Sequence, residues 1–561
     1  MNIFKALLLC TVALCNVMPA MASNEECRAY LTSLETSTQA DPTYTPNFEQ
    51  LSCQLVDADY DQKESLILSI AQTGHEKALP VIKLLLNADL FYNKKNGDLV
   101  TREKLENRKY KATSIFTDKD LGEFKKRDLR KVGINNNLRR TINGVIAELQ
   151  ISSSDPEQRQ AAARELLKAA DNSALPLLDK ALTKETDEHI ISILQTARAL
   201  VYLQSDDSVA RIEAIQFLDG SLYVETRNGL LAFLNRAKQD NNTYSQAEIT
   251  LAQTTFDDIN ELMKLNGVLE NVYFGVALGA VLLLAAIGLA ITFGVMGVIN
   301  MAHGEMIMLG AYTTFVIQQL MPNNIGLSLV VAVPAAFLVS GLVGVLIERS
   351  VIRHLYGRPL ETLLATFGIS LVLQQAVRSI FGPLNQDVQT PDWMAGTFTV
   401  NAGLELTFNR LYIIIFSLLV LAALAVVLKK TLFGLQMRAV TMNRPMASSM
   451  GIKTGWVDAL TFGLGSGIAG IAGVALSQLT NVGPNLGQQY IIDSLMVVGF
   501  GGVGNLWGTL VGAMSLGVAN KVFEPMAGAV LAKIIVLVAI ILFIQKRPRG
   551  LFALKGRSVE D

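Results

Sequence analysis

The sequence predicts an all-α protein: a polytopic membrane helix bundle with broken or re-entrant segments, preceded by a helical-repeat extracytoplasmic domain. Three observations predict it. The 561 residues are 50% hydrophobic, but unevenly so, with a soluble pattern before about residue 265 and long apolar runs after it. The fifty residues from Asn271 to Leu320 form an apolar run broken by one polar knot, Asn300, His303, Gly304 and Glu305. A single crossing needs about 20 apolar residues, so this run reads as two spans. In the first half, segments such as Arg159 to Ala170 and His189 to Leu203 place apolar residues at helical spacing with charges opposite.

Residues 1–22 have the layout of a secretory signal peptide: Lys5, an apolar stretch from Ala6 to Val17, and Ala20-Met21-Ala22 as a small-residue cleavage site. A lipoprotein reading of Cys10 or Cys15 is weak, because leucine precedes each. The remaining cysteines, Cys27 and Cys53, then sit in an oxidising compartment where pairing is the default; two buried thiols are the alternative. The formal net charge of −1 argues against nucleic acid as a partner.

Residues 23–265 read as the extracytoplasmic helical-repeat domain. Ala78-Leu79-Pro80-Val81 recurs as Ala174-Leu175-Pro176-Leu177, each opening an amphipathic helix, and the surrounding sequence resembles paired-helix repeats of the HEAT kind. Ser154-Asp155-Pro156-Glu157 is a helix start, with a capping side chain and proline just inside. Asn96-Gly97 and Asn228-Gly229, each following aromatic or aliphatic residues, suggest two small hairpins. His75 and His189 have no Cys or carboxylate at metal-ligand spacing and read as ordinary surface histidines. No metal or cofactor is expected.

Residues 266–561 read as the membrane domain. Beyond the opening pair, apolar runs follow at about Gly326 to Ile347, Thr362 to Phe381, Leu411 to Leu428, Val457 to Leu479, Ile491 to Val522 and Ala527 to Ile544. Arg349, Arg353 and Arg358, then Lys429, Lys430, Arg438, Arg444 and Lys453, then Lys546, Arg547 and Arg549 mark three cytoplasmic segments. The loop from Gly382 to Asn409 has Asp387, Asp392 and Glu405 and no Lys or Arg, and belongs outside. The alternation puts the mature N-terminus outside and the C-terminus inside, provided that the glycine-broken run Ile491 to Val522 returns to the side it entered from.

That second broken run echoes the first. Gly297-Val298-Ile299-Asn300 parallels Gly502-Val503-Gly504-Asn505, and Leu309-Gly310-Ala311 parallels Val511-Gly512-Ala513. Interrupted spans at corresponding places in two halves point to a solute path; glycines that merely permit close helix packing are the other reading. Asn300, His303, Glu305, Asn505 and the pair Gln374-Gln375 are the candidate path residues, since polar groups at membrane depth need protein or water around them.

Three motifs in order, Gly294 to Glu305 (GVMGVINMAHGE), Ala365 to Ser370 (ATFGIS) and Gly501 to Asn505 (GGVGN), resemble the permease subunits of ABC importers for branched-chain amino acids and urea. The long extension ahead of the first span looks like the urea type. The resemblance implies a heterodimer with a second permease, two ABC ATPase subunits, an extracytoplasmic substrate-binding protein and a surrounding inner-membrane bilayer. It also implies that the segment from Phe433 to Lys453 is a coupling loop docking on an ATPase, with Arg438, Ala439, Arg444, Ala447 and Gly451 as its contact residues. The chain has no G-x-x-x-x-G-K-[ST] sequence, so ATP hydrolysis belongs to separate subunits and the chain itself is no enzyme.

The expected function is therefore a translocation path for urea or a similar small amide, with a branched-chain amino acid as the alternative cargo. An intramembrane hydrolase using Ser466 and His303 requires the two side chains within hydrogen-bond reach. A membrane-anchored scaffold would need one span, not several.

Overall fold

A computed structural model describes residues 26–40, 45–105, 109–239 and 243–552. The signal peptide expected over residues 1–22 lies outside the described residues. The chain divides into two compact units, meeting between Ile259 and Asn260.

The first unit opens with α1 (Glu26–Ala40), α2 (Phe48–Gln54), α3 (Tyr60–Gln72) and α4 (Ala78–Asn87). Asn47 and Asp59 close capping boxes at the starts of α2 and α3, each satisfying backbone N–H groups that the helix leaves free. Cys27 and Cys53 are joined in a disulfide that ties α1 to α2, their α-carbons 5.4 Å apart. Leu51, Leu55, Ile67, Ile70, Ile82, Leu85 and Ile142 are buried together as the core here.

A mainly helical domain with one small hairpin was expected here, but residues 91–131 form a five-stranded antiparallel sheet of order β4-β3-β2-β1-β5. Its strands are β1 (Phe91–Asn93), β2 (Leu99–Lys104), β3 (Tyr110–Ser114), β4 (Asp120–Phe124) and β5 (Leu129–Lys131). The first expected hairpin is present: Phe91 pairs with Val100 and Tyr92 with Leu99, around a turn where Gly97 has φ +76°. The second is absent, because Asn228 and Gly229 lie inside a helix.

Helices resume as α5 (Asn136–Gln150), α6 (Pro156–Lys168), α7 (Leu175–Leu182), α8 (Glu188–Tyr202), α9 (Ser208–Leu218) and α10 (Val224–Gln239). Asp155 caps α6 with Pro156 in its first turn. Helix α8 packs against α6, α7, α9 and α10. The sheet separates the two Ala-Leu-Pro segments, so the unit is not one uninterrupted helical repeat.

Helix α11 (Gln246–Met296) crosses from one unit into the other. At 1.5 Å per residue it is about 77 Å long, well beyond a hydrocarbon thickness of about 30 Å. After α12 (His303–Leu320), the second unit continues with α13 (Ile325–Ser350), α14 (Pro359–Phe381), a hairpin of β6 (Thr397–Asn401) and β7 (Leu404–Thr407), and α15 (Phe408–Lys430). Two short helices, α16 (Leu432–Met442) and α17 (Arg444–Ser449), lead to α18 (Thr454–Ser477), α19 (Leu486–Gly501), α20 (Leu506–Ala527) and α21 (Ala529–Lys546).

Six helices among the described residues are long and apolar enough to cross a membrane: α11, α13, α14, α15, α18 and α21. In α11 and α18, 83% of the apolar window is enclosed by the protein, against 17–33% in the other four. Those two helices are therefore the centre of the second unit, and the others present apolar faces outward, as membrane helices do. Both expected breaks are present, at residues 297–302 between α11 and α12 and at residues 502–505 between α19 and α20.

Candidate functional site

The first break is set by backbone and polar contacts together. Gly297 has φ +69°, which ends α11 one residue after Met296. The Asn300 side-chain oxygen accepts from the Ala302 N–H at 3.0 Å, and Met301 N–H donates to Thr366 Oγ1 on α14 at 3.1 Å. Irregular backbone in an apolar setting is thus satisfied by neighbouring protein rather than by lipid.

His303, the first residue of α12, is fully enclosed, and its Nε2 lies 2.8 Å from the Ala285 carbonyl on α11. Glu305 is also enclosed, in the first turn of α12, where the helix dipole favours a carboxylate. Its Oε1 accepts from Ser370 Oγ at 2.9 Å and from Gln374 Nε2 at 2.7 Å, both on α14. Three enclosed polar atoms here have no hydrogen-bond partner among the described residues: Asn300 Nδ2, His303 Nδ1 and Glu305 Oε2. The sequence pattern singles out Glu305 and Gln374 separately, and the fold brings them into contact. Ser370 was not singled out as a path residue; its spacing four residues before Gln374 on a helix was the available signal. Gln375 is exposed, away from the cluster.

Asn505 is placed elsewhere. It caps α20, its side-chain oxygen accepting from Trp507 N–H and Gly508 N–H, and its Nδ2 donates to the Phe552 carbonyl. No hydrogen bond joins it to the Glu305 cluster among the described residues. The second break does meet the last turn of α11 through backbone: a Cβ on Gly294 would lie 2.6 Å from the Gly504 α-carbon.

Glycines bring the surrounding helices to backbone contact. Gly288 on α11 faces Gly465 on α18, Gly310 on α12 faces Gly470, and Gly304 faces Gly487 on α19. Ser466 is enclosed without a hydrogen-bond partner and lies against Gly344, while the His303 Nε2 is committed to Ala285. The hydrolase geometry is therefore not present.

The basic segment is two short helices. Met437, Val440 and Ala447 are buried in the same apolar core as Val457 of α18. Arg438 is exposed, Ala439 is half-buried, and Gly451 is exposed with φ +87°. Arg444 departs from its expected outward role: its guanidinium is paired with Asp458 on α18 and lies 4.4 Å from the centre of the Tyr356 ring. Leu435, Met442, Met446 and Met450 are exposed alongside Arg438, so the outward face is more apolar than basic.

The model for the family described as "Branched-chain amino acid transport system / permease component" matches residues 271–544. Among curated proteins, the high-affinity branched-chain amino acid transport system permease protein LivH of Salmonella typhimurium is 31% identical over 293 residues, covering 50% of this chain and 94% of LivH. LivH of Escherichia coli K12 is 30% identical over the same length and shares. The chain belongs to this permease family. The corresponding Pseudomonas aeruginosa protein, BraD, is 28% identical over 296 residues, covering 50% of the permease described here and 95% of BraD. No solved structure matches. Membership in a family of permease components makes the chain a multi-pass membrane subunit of a transport system and not an enzyme, and the match begins at residue 271, so the first unit falls outside it.

Proposed function

We propose that the permease is one membrane subunit of an ABC importer and that its cargo is a branched-chain amino acid or a closely similar aliphatic amino acid. It works beside a second permease subunit, two ATPases and an extracytoplasmic binding protein, with the first unit outside the inner membrane and the C-terminus in the cytoplasm. Asn300, His303, Glu305 and Gln374 border the route, and residues 432–451 dock on an ATPase. Asn505 contributes by holding the second break.

The observation that supports this cargo is Glu305. A carboxylate with one oxygen satisfied by Ser370 and Gln374 and the other unpartnered suits a substrate ammonium, which forms strong charge-assisted hydrogen bonds. The apolar helices around it suit an aliphatic side chain. This moves the cargo from the neutral amide expected first to the alternative.

Urea is the second reading, favoured by the first unit, which lies outside the match to the branched-chain permeases. Uptake of labelled leucine and labelled urea, in cells with and without this chain, tests both. Gene-dependent leucine uptake supports the amino-acid reading; gene-dependent urea uptake without leucine uptake replaces it.

A further inference from the structure

Arg444 starts α17, yet its guanidinium turns back into the protein. It pairs with both carboxylate oxygens of Asp458, Nη1 lying 3.3 Å from Oδ1, and Asp458 is fully enclosed near the start of α18. Around the pair stand Tyr356, whose ring the guanidinium covers, and the end of α13, where Glu348 is 3.8 Å from Arg349 and Arg349 stacks over Trp456. The short-helix segment also touches α18 through Met437, Val440 and Ala447, but apolar contact has no preferred direction. A two-pronged ion pair does, and opening it would leave an uncompensated charge in a closed site.

Helix α18 in turn reaches the first break. Its Gly465 carbonyl lies against Gly288 on α11, and a Cβ on Gly288 would stand 2.8 Å from His303 Cε1. A shift of α18 at this seam therefore alters the pocket that holds the first residue of α12.

We infer that the Arg444–Asp458 pair is a strut through which displacement of residues 432–449 moves α18 and hence the break at residues 297–302. The inference rests on the permease reading above. Arg444 is a positioning residue, touching neither cargo nor nucleotide.

The test uses the complete transporter in lipid vesicles, and the readout is ATP hydrolysed per molecule of leucine or urea imported. In Arg444→Gln and in Asp458→Asn the ratio rises about tenfold, and the double variant is no worse than either single one, since the same strut has been cut. Arg444→Lys keeps the charge but loses the planar fork, so its ratio rises less, roughly fivefold; it decides the question where the neutral variants do not assemble. A wild-type ratio in assembled Arg444→Lys or Arg444→Gln, or additive losses in the double variant, overturns the strut alone. Import of neither solute by the wild-type transporter overturns the permease reading and the strut with it.

Discussion

Gly294, in the last turn of α11, meets the backbone of Gly504 in the second break of the permease: a Cβ added to Gly294 would stand 2.6 Å from the Gly504 α-carbon. No rotamer can relieve a contact with backbone, so one strand of the crossing has to move. Gly294→Ala is expected to destabilise the second unit by about 1–3 kcal/mol, the usual range for overpacking. Thermal denaturation of the detergent-solubilised permease checks this, and an unchanged midpoint removes the close approach.

Glu305 gives a second expectation. Glu305→Ala strips the acceptor from Ser370 and Gln374 and removes the negative charge. The unsatisfied Ser370 and Gln374 donors lower stability, while loss of a charge-assisted hydrogen bond to the substrate ammonium costs about 1.5–3 kcal/mol of binding, roughly a tenfold to hundredfold loss of leucine uptake. Glu305→Gln keeps an acceptor and loses the charge, so it separates packing from ammonium recognition. Leucine uptake in Glu305→Gln equal to wild type would count against the cargo assignment.

The Cys27–Cys53 disulfide closes a loop spanning a sequence separation of 26. In the chain-entropy account a bridge of this size contributes about 3 kcal/mol. The double Cys→Ser variant is expected to lower the denaturant midpoint of the first unit within the full chain, read by proteolysis between residues 45 and 105. Solute uptake per assembled transporter should not change.

Arg159 and Glu185 supply a pH-dependent contact in the first unit, joined at 2.9 Å. Burial pushes the Glu185 carboxyl up, but Arg159 and the N–H groups of Thr186 and Asp187 outweigh it and hold it below the ordinary value. A carboxyl lowered in the folded state stabilises above its unfolded pKa and loses that contribution as pH falls through its folded pKa. Protection of residues 156–202 from protease should therefore weaken on acidification in wild type. Glu185→Gln should be less protected at neutral pH and flatter across the carboxylate range.

Much of the membrane unit was legible because polar residues in apolar runs are costly and so conspicuous. Asn300, His303 and Glu305 marked the first break for that reason, while Gly502 and Gly504 marked the second because glycine interrupts a helix. The inward turn of Arg444 was not legible from its basic neighbours. The available sign was Asp458 at the head of an apolar run, a carboxylate that had to find a partner. The sheet at residues 91–131 escaped because strands such as Val100 to Lys104 carry Arg, Glu and Lys, which blur the alternation. Asn228-Gly229 carries the same dipeptide as the real turn at Asn96-Gly97. There the helical spacing of Leu230, Phe233, Leu234 and Ala237, all buried, overrode the local signal.

Where Gly288, Gly304, Gly310, Gly465, Gly470 and Gly487 line the crossings, the central helices meet backbone to backbone, closer than any pair of larger residues would allow. Thr292 and Ser340 fill what little room is left beside Gly465 and Gly470, so the seam is closed to any added atom. One extra carbon along the seam can be housed only by parting two central helices, so the heart of the permease is intolerant of alanine.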